Sequence, residues 1–183
     1  MRFVARSLAL LSALVVLGAS MASAQHPQTR KGFWIGFGFG WGSYGISCST
    51  CGGLGREGSY TGYLKMGGTV SPHLLLGGES IAWSKSESGT TVTAGNVSLA
   101  GYYYPQPASG LFLSAGVGFS RAEASSGGSS GGNTGPGFQL GAGYDIRVGT
   151  NLSITPTGNW VYGHPESGFS HNFFQFSVGV TFH

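Results

Sequence analysis

Apolar and polar residues alternate along the final stretch of the chain. In the final stretch from Asn172 to His183, every second position from Phe174 onwards carries a bulky apolar residue, and small or polar uncharged residues fill the positions between. The apolar set consists of Phe174, Phe176, Val178, Val180 and Phe182. Since successive side chains of a strand point to opposite faces, this period of two predicts a strand with one fully apolar face. The uncharged opposite face favours a transmembrane strand over a strand of a soluble sandwich.

Seven earlier segments show the same alternation. They are predicted at residues 32–42, 59–70, 74–84, 91–104, 111–119, 137–148 and 152–162. The eight segments have about the nine to twelve residues that a tilted strand needs to cross a bilayer. The sequence therefore predicts an all-β fold in which every crossing is a strand.

The connections between these segments alternate in length. Residues 43–58, 120–135 and 163–171 are predicted as long outer loops, and the Ser/Gly-rich segment 120–135 is expected to be mobile. The connections on the other side are short turns. An even number of strands with this alternation predicts an eight-stranded antiparallel up-and-down transmembrane β-barrel.

Four charged residues lie inside the predicted strands: Lys65, Glu79, Asp145 and Arg147. A charge that faces lipid near the midplane costs a few kcal/mol, so we expect all four to face the interior as an ion-pair network. The register of segment 74–84 remains open. An inward Glu79 also turns Ile81 and Trp83 inward, unless a β-bulge intervenes.

Two further features of the strands carry expectations. Pro156 lies within a predicted strand of a closed barrel, which has no edge, so a local bulge is expected there. Aromatic residues near strand ends are expected at the two membrane interfaces. The outer set is Trp41, Tyr60, Trp160 and Phe173, and the periplasmic set is Phe33, residues 102–104 and Phe182.

The first residues of the chain have the pattern of a secretory signal peptide. Arg2 and Arg6 precede an apolar run at residues 8–17, and Ala22-Ser23-Ala24 has the small residues of a cleavage site. The expected domains are a signal peptide at 1–24, cleaved near Ala24, and a barrel at 25–183. The protein is therefore expected to leave the cytoplasm.

Composition excludes several function classes. Charged residues make up only 8% of the chain, far below the usual share of a soluble protein, and there are 35 glycines. Most of the net charge of +3 comes from the predicted leader. Nothing in this balance favours a nucleic-acid partner.

Cys48 and Cys51 form the one sharp local motif. In an exported loop, an oxidising compartment favours a disulfide between them. Free or mixed-disulfide thiols, and a metal site with His164 or His171, are the alternatives. No metal site or cofactor is predicted.

Several segments resemble small eight-stranded outer-membrane barrels of the OmpA/OmpX type, in the outer membrane protein beta-barrel domain group. They are residues 71–79, 141–147, 151–156 and the aromatic-rich final strand. The resemblance implies a Gram-negative-type outer membrane, with the lipid bilayer and lipopolysaccharide as surroundings. It also implies that the last strand, in which Phe182 is penultimate, is an insertion signal for the barrel-assembly machinery. It implies no catalytic residue.

We expect a structural or surface-interaction barrel rather than an enzyme. Lipid A deacylases of similar fold have a Ser two residues after a His, whereas here Phe173 follows His171 and Glu166 follows His164. The alternatives are a narrow pore for small solutes, a lipid-modifying enzyme and a soluble exported lipocalin-like barrel.

Overall fold

A computed structural model describes residues 28–48 and 55–183, and all of its regular elements are strands. The predicted signal peptide and Cys51 lie outside the described residues. The strands are β1 (Phe33–Cys48), β2 (Glu57–Ser71), β3 (Leu74–Glu87), β4 (Thr90–Tyr103), β5 (Leu111–Ser126), β6 (Ser129–Tyr144), β7 (Ile146–Arg147), β8 (Leu152–Glu166) and β9 (Phe169–Phe182). Within these ranges no helix is long and apolar enough to cross a membrane.

The strands form one closed antiparallel sheet. Each strand from β1 to β5 pairs with the next, and β8 pairs with both β6 and β9. The sheet closes because β9 also pairs with β1, from Ile35↔Phe182 to Cys48↔Phe169. The short β7 continues the line of β6 against β8. The predicted barrel of eight crossings is confirmed.

Burial alternates along the strands and separates an apolar exterior from a filled interior. Leu99 is 77% exposed and Phe39 is 76% exposed, and 23 large apolar side chains lie on the outside. Soluble monomers rarely expose so much contiguous apolar surface, and a bilayer covers it. The apolar face predicted for the last strand, Phe174 to Phe182, is part of this exterior.

The strands extend further on one side than the sequence predicts. The segment 120–135 is a paired hairpin rather than a mobile loop, because Gly127 and Gly128 adopt positive φ angles (58° and 86°) and close a tight turn between β5 and β6. Predicted loop 163–171 is likewise mostly strand, with a turn at Gly168 (φ 79°). Within predicted loop 43–58, β1 continues to Cys48 and β2 begins at Glu57.

The structure also settles the local expectations for two strands. In β3, Glu79, Ile81 and Trp83 all face the interior without a bulge. The bulge expected at Pro156 is wrong: pairing is only interrupted, and the register Gly143↔Thr157 resumes unchanged at Ile146↔Ile154. Proline removes one donor from the ladder, and the interruption accommodates this loss.

Three aromatic residues assigned to the membrane interfaces are buried in the lumen instead: Phe173, Tyr102 and Tyr104. Each has the parity of the inward face of its strand, Phe173 with Gln175 and both tyrosines with Ser98. Strand parity therefore overrides position along the membrane normal.

Candidate functional site

The lumen is filled in layers along the barrel axis. The end of the barrel with the short turns is called the periplasmic end, as the loop lengths predict. An inner layer near this end consists of Trp34, Leu75, Ala100, Tyr102, Tyr104 and Phe112. An outer layer towards the long hairpins consists of Tyr44, Tyr63, Ile81, Trp83, Ala94, Val161 and Phe173. Buried polar side chains such as Asn96, Gln139 and Gln175 lie between them. An eight-stranded barrel is narrow enough for side chains to fill it in this way.

Asp145 organises the polar contacts at the periplasmic end. Its carboxylate accepts hydrogen bonds from the hydroxyls of Tyr104 and Thr155, both at 2.9 Å. The guanidinium of Arg30 lies 3.6 Å from it, and Nε2 of His183 lies 3.3 Å from it. A fully buried carboxylate is thus held by groups from four different segments of the chain.

Arg30 is a residue that the sequence did not single out. Its guanidinium stacks over the Tyr104 ring at 3.6 Å and donates to the carbonyl oxygens of Pro107 and Ser109 at 2.9 and 3.0 Å. The segment before β1 therefore enters the barrel and closes its periplasmic end. The available signal was the basic pair Arg30-Lys31 in the polar segment before the first predicted strand.

Lys65, Glu79, Asp145 and Arg147 are all buried in the lumen, but the structure divides them. Lys65 and Glu79 are cross-strand partners, yet no ion pair within 4 Å joins them in the described ranges. The Lys65 ammonium lies 4.8 Å from the centre of the Phe112 ring, and Glu79 accepts a hydrogen bond from Tyr102 at 2.7 Å.

The other two predicted charges lie at the periplasmic end. Arg147 donates to the backbone oxygen of Thr29 at 2.9 Å. Asp145 pairs with Arg30 and His183 rather than with the predicted partners. The predicted network is therefore two separate groups of contacts, one around Glu79 and one around Asp145.

Above the outer layer, the strand extensions enclose a cleft that opens to the outside. One part has a volume of about 320 Å³ and the other of about 390 Å³. Both parts are lined by Tyr44, Ile46 and Val92, so they lie side by side. The floor of the cleft is the stacked pair Tyr44–Trp83, whose ring centroids are 4.6 Å apart. This space is called the extracellular cleft below, after the expectation that the long hairpins lie outside the cell.

Charges line one wall of the extracellular cleft. Nζ of Lys85 lies 2.7 Å from a carboxylate oxygen of Glu57 and 2.7 Å from one of Glu87. Its hydrogen bonds to Glu57 and Glu87 raise the pKa of Lys85, and the same contact lowers the pKa of Glu87. On the opposite side, the Asn133 amide donates to Glu166.

Among the described residues, the histidine candidates do not assemble into a reactive centre. His171 is fully buried, with Nε2 2.7 Å from Oγ of Ser120, but its Nδ1 has no hydrogen-bond partner among the described residues. A catalytic triad requires an acidic group at that nitrogen. In residues 28–48 and 55–183, no three His, Cys, Asp or Glu side chains form a metal site. Cys48 ends β1 at the outer rim, and the disulfide with Cys51 stays a prediction.

The closed sheet, apolar exterior and filled lumen define a small membrane-spanning β-barrel. The chain belongs to the family described as outer membrane protein beta-barrel domain, which matches residues 11–182. Family membership places the protein in an outer membrane.

Solved structures with the same fold come from several bacteria. Neisserial surface protein A (NspA) has 18% identity and a TM-score of 0.64, with 84% of this chain and 98% of that chain covered. The N-terminal barrel of Pseudomonas aeruginosa OprF has 15% identity and a TM-score of 0.54, covering 84% and 98%. Ail of Yersinia pestis has 14% identity and a TM-score of 0.51, covering 84% and 100%. No curated protein matches the sequence.

Proposed function

We propose that the protein is a non-conducting outer-membrane barrel with a structural or surface-interaction role. The observation that carries the proposal is the filled lumen beneath an open extracellular cleft. Trp34 and Trp83, one in each apolar layer, are both only 1% exposed. Solutes would have to displace both layers to pass, whereas partners outside the cell reach the cleft freely.

A narrow pore is the alternative that this packing disfavours. Single-channel recording in planar bilayers tests it, and the wild-type barrel is expected to give no conductance steps. The double variant Trp34→Ala with Trp83→Ala truncates one side chain in each layer and is the matched comparison. If the wild-type protein gave regular conductance steps as large as those of this variant, the barrel would not be sealed.

The proposed orientation places the long hairpins outside the cell. An epitope inserted between Gly127 and Gly128, in the β5–β6 turn, should be labelled by antibody on intact cells. The same epitope inserted after Pro72, in the β2–β3 turn, should be labelled only after permeabilisation. The reverse pattern would overturn the orientation and with it the surface role.

The envelope partners follow from this orientation. Arg56 lies over the ring of the lipid-facing Phe174 at 5.3 Å, and Arg121 follows the lipid-facing Phe119 on β5. Guanidinium groups at this level suit the phosphates of lipopolysaccharide. The apolar face of β9, from Phe174 to Phe182, would act as the insertion signal for the barrel-assembly machinery.

A binding role is proposed in preference to catalysis. The Ser120–His171 pair is the nearest approach to a nucleophile and base, and both side chains are fully buried. Two of the barrels with the same fold have names that refer to a surface or to attachment: a neisserial surface protein and the attachment invasion locus protein of Yersinia pestis. These names support a surface role and assign no ligand.

A further inference from the structure

The extracellular cleft has the size and lining of a small-molecule site. Its two parts of about 320 and 390 Å³ match the volumes of ligand pockets, which begin at about 300 Å³. Ile46 and Val92 are partly buried and pack on the outer layer, so they form apolar walls above a floor that is already closed. A ligand that fits must bring an apolar body to cover these walls.

Carboxylates are concentrated at the cleft. The chain has six acidic residues, and four of them line it: Glu57, Glu87, Glu123 and Glu166. Lys85 is the one basic residue among the lining side chains of its two parts. Arg56 contacts the outward-facing Phe174, and Arg121 shares the parity of the lipid-facing Phe119 on β5. Arg121 pairs with Glu123, so Glu123 adds no unpaired charge to the cleft.

The walls of the extracellular cleft carry a net negative charge. A single ammonium, that of Lys85, contacts the carboxylates of both Glu57 and Glu87, which leaves one negative charge in excess on that wall. Glu166, across the cleft, forms no ion pair with any described residue, and only the Asn133 amide donates to it. An anionic ligand would be repelled here, whereas a cation gains from both walls.

We propose that the extracellular cleft binds a small amphipathic organic cation. Its apolar body lies between Ile46 and Val92 above the Tyr44–Trp83 pair, and its positive group lies against the carboxylates of Glu57 and Glu87. This inference rests on the proposed surface role, because it requires the cleft to open to the medium.

The test uses three probes of one shape and different charge: naphthylmethylammonium, naphthylmethanol and naphthoate. The full barrel is inserted in lipid nanodiscs, and the NMR signal of the Trp83 indole N–H, assigned by its loss in Trp83→Phe, is followed during titration. Trp83 lines the cleft and donates to the Gly42 oxygen at 3.2 Å. The lipid-facing Trp41 is an internal control, because its signal reports probes that only partition into the bilayer.

The cation should shift the Trp83 signal saturably and bind about two- to fivefold more tightly than the neutral probe, which is the upper part of the effect of one exposed ion pair. The double variant Glu57→Gln with Glu87→Gln should weaken the cation by a similar factor and leave the neutral probe unchanged. Val92→Phe should weaken both probes, because Val92 lines both parts of the cleft. Lys31→Gln removes an exposed charge at the opposite end of the barrel and should change neither.

Equal affinity for all three probes would overturn the assignment of a cation. Shifts of Trp41 without a saturable shift of Trp83 would overturn the site itself. Heat-dependent mobility in gels confirms that each variant is folded. A barrel that is inserted and non-conducting but binds no probe refutes this inference and leaves the surface role intact, whereas regular conductance refutes the surface role.

Discussion

The Tyr104 hydroxyl donates a 2.9 Å hydrogen bond to Oδ2 of Asp145, deep in the periplasmic end of the lumen. The same tyrosine ring carries the guanidinium of Arg30 on its face at 3.6 Å. The carboxylate and the cation are therefore positioned by one aromatic side chain, which is itself fixed at the end of β4. His183 reaches the same carboxylate from the last position of the chain. The segment before β1 and the residue after β9 are thus tied to one point.

Asp145→Asn should destabilise the barrel by about 3 kcal/mol, because removing one partner of a buried ion pair leaves the other charge uncompensated. Arg30 would lose the carboxylate that faces it while remaining buried. Urea unfolding of the protein in phospholipid vesicles, followed by tryptophan fluorescence, measures the loss of free energy.

The matched control for Asp145→Asn is Glu123→Gln. Glu123 forms an exposed ion pair with Arg121 at 2.8 Å, and such pairs contribute less than about 1 kcal/mol. Equal losses for the two variants would show that Asp145 does not organise the periplasmic end.

Period-two alternation predicted the barrel because one face of each strand contacts lipid and the other face contacts the lumen. The parity of Glu79 placed Ile81 and Trp83 correctly in the lumen, and no bulge shifts the register there. Parity also indicates inward positions for Tyr102 and Phe173, whereas the prediction from their places near strand ends was wrong. The face of a strand on which a side chain lies depends only on its position along that strand, so it can be predicted directly from the sequence.

The contacts around Asp145 could not be predicted in the same way. Arg30 lies 115 residues from Asp145 in sequence and outside any strand, so no period places it; the contact depends on how the chain enters the closed barrel. The hairpin at Gly127–Gly128 was missed for a different reason. The Ser/Gly composition of segment 120–135 is typical of flexible linkers. The feature that makes the segment a hairpin is the pair of consecutive positive φ angles at Gly127 and Gly128, and composition does not reveal it.

The free-energy cost of a charge on the lipid-facing surface should depend on its depth in the bilayer. Val178→Arg places a charge halfway along the apolar face of β9 and should cost about 2–4 kcal/mol. Leu111→Arg places the same charge at the first residue of β5, near the interface, where the cost is about 0–1 kcal/mol. Both side chains are exposed in the barrel. Equilibrium unfolding in vesicles distinguishes them, and similar costs at the two positions would contradict the placement of the bilayer.

Glycines on the two faces of the sheet should respond differently to alanine. A Cβ at Gly38 would lie 2.5 Å from Cε1 of Tyr63 and 2.8 Å from the Cα of Gly179, so Gly38→Ala must displace the tyrosine in the outer layer. Overpacking of this kind costs about 1–3 kcal/mol. Gly78→Ala meets nothing within 4 Å and should be neutral or slightly stabilising. If Gly78→Ala destabilised as much as Gly38→Ala in the same unfolding assay, lumen packing would not explain the result.

Cys48 and Cys51 are expected to form a disulfide at the outer rim of the barrel. Cys48 ends β1 opposite Phe169 of β9, on the side of the barrel that we place outside the cell. An oxidising compartment favours a disulfide with Cys51, so a maleimide reagent should label neither residue in the unfolded, unreduced protein and both after reduction. Cys51→Ser is the control, because it leaves one thiol that should be labelled without reduction. Two reactive thiols in the unreduced wild-type protein, counted by mass spectrometry, would exclude the disulfide.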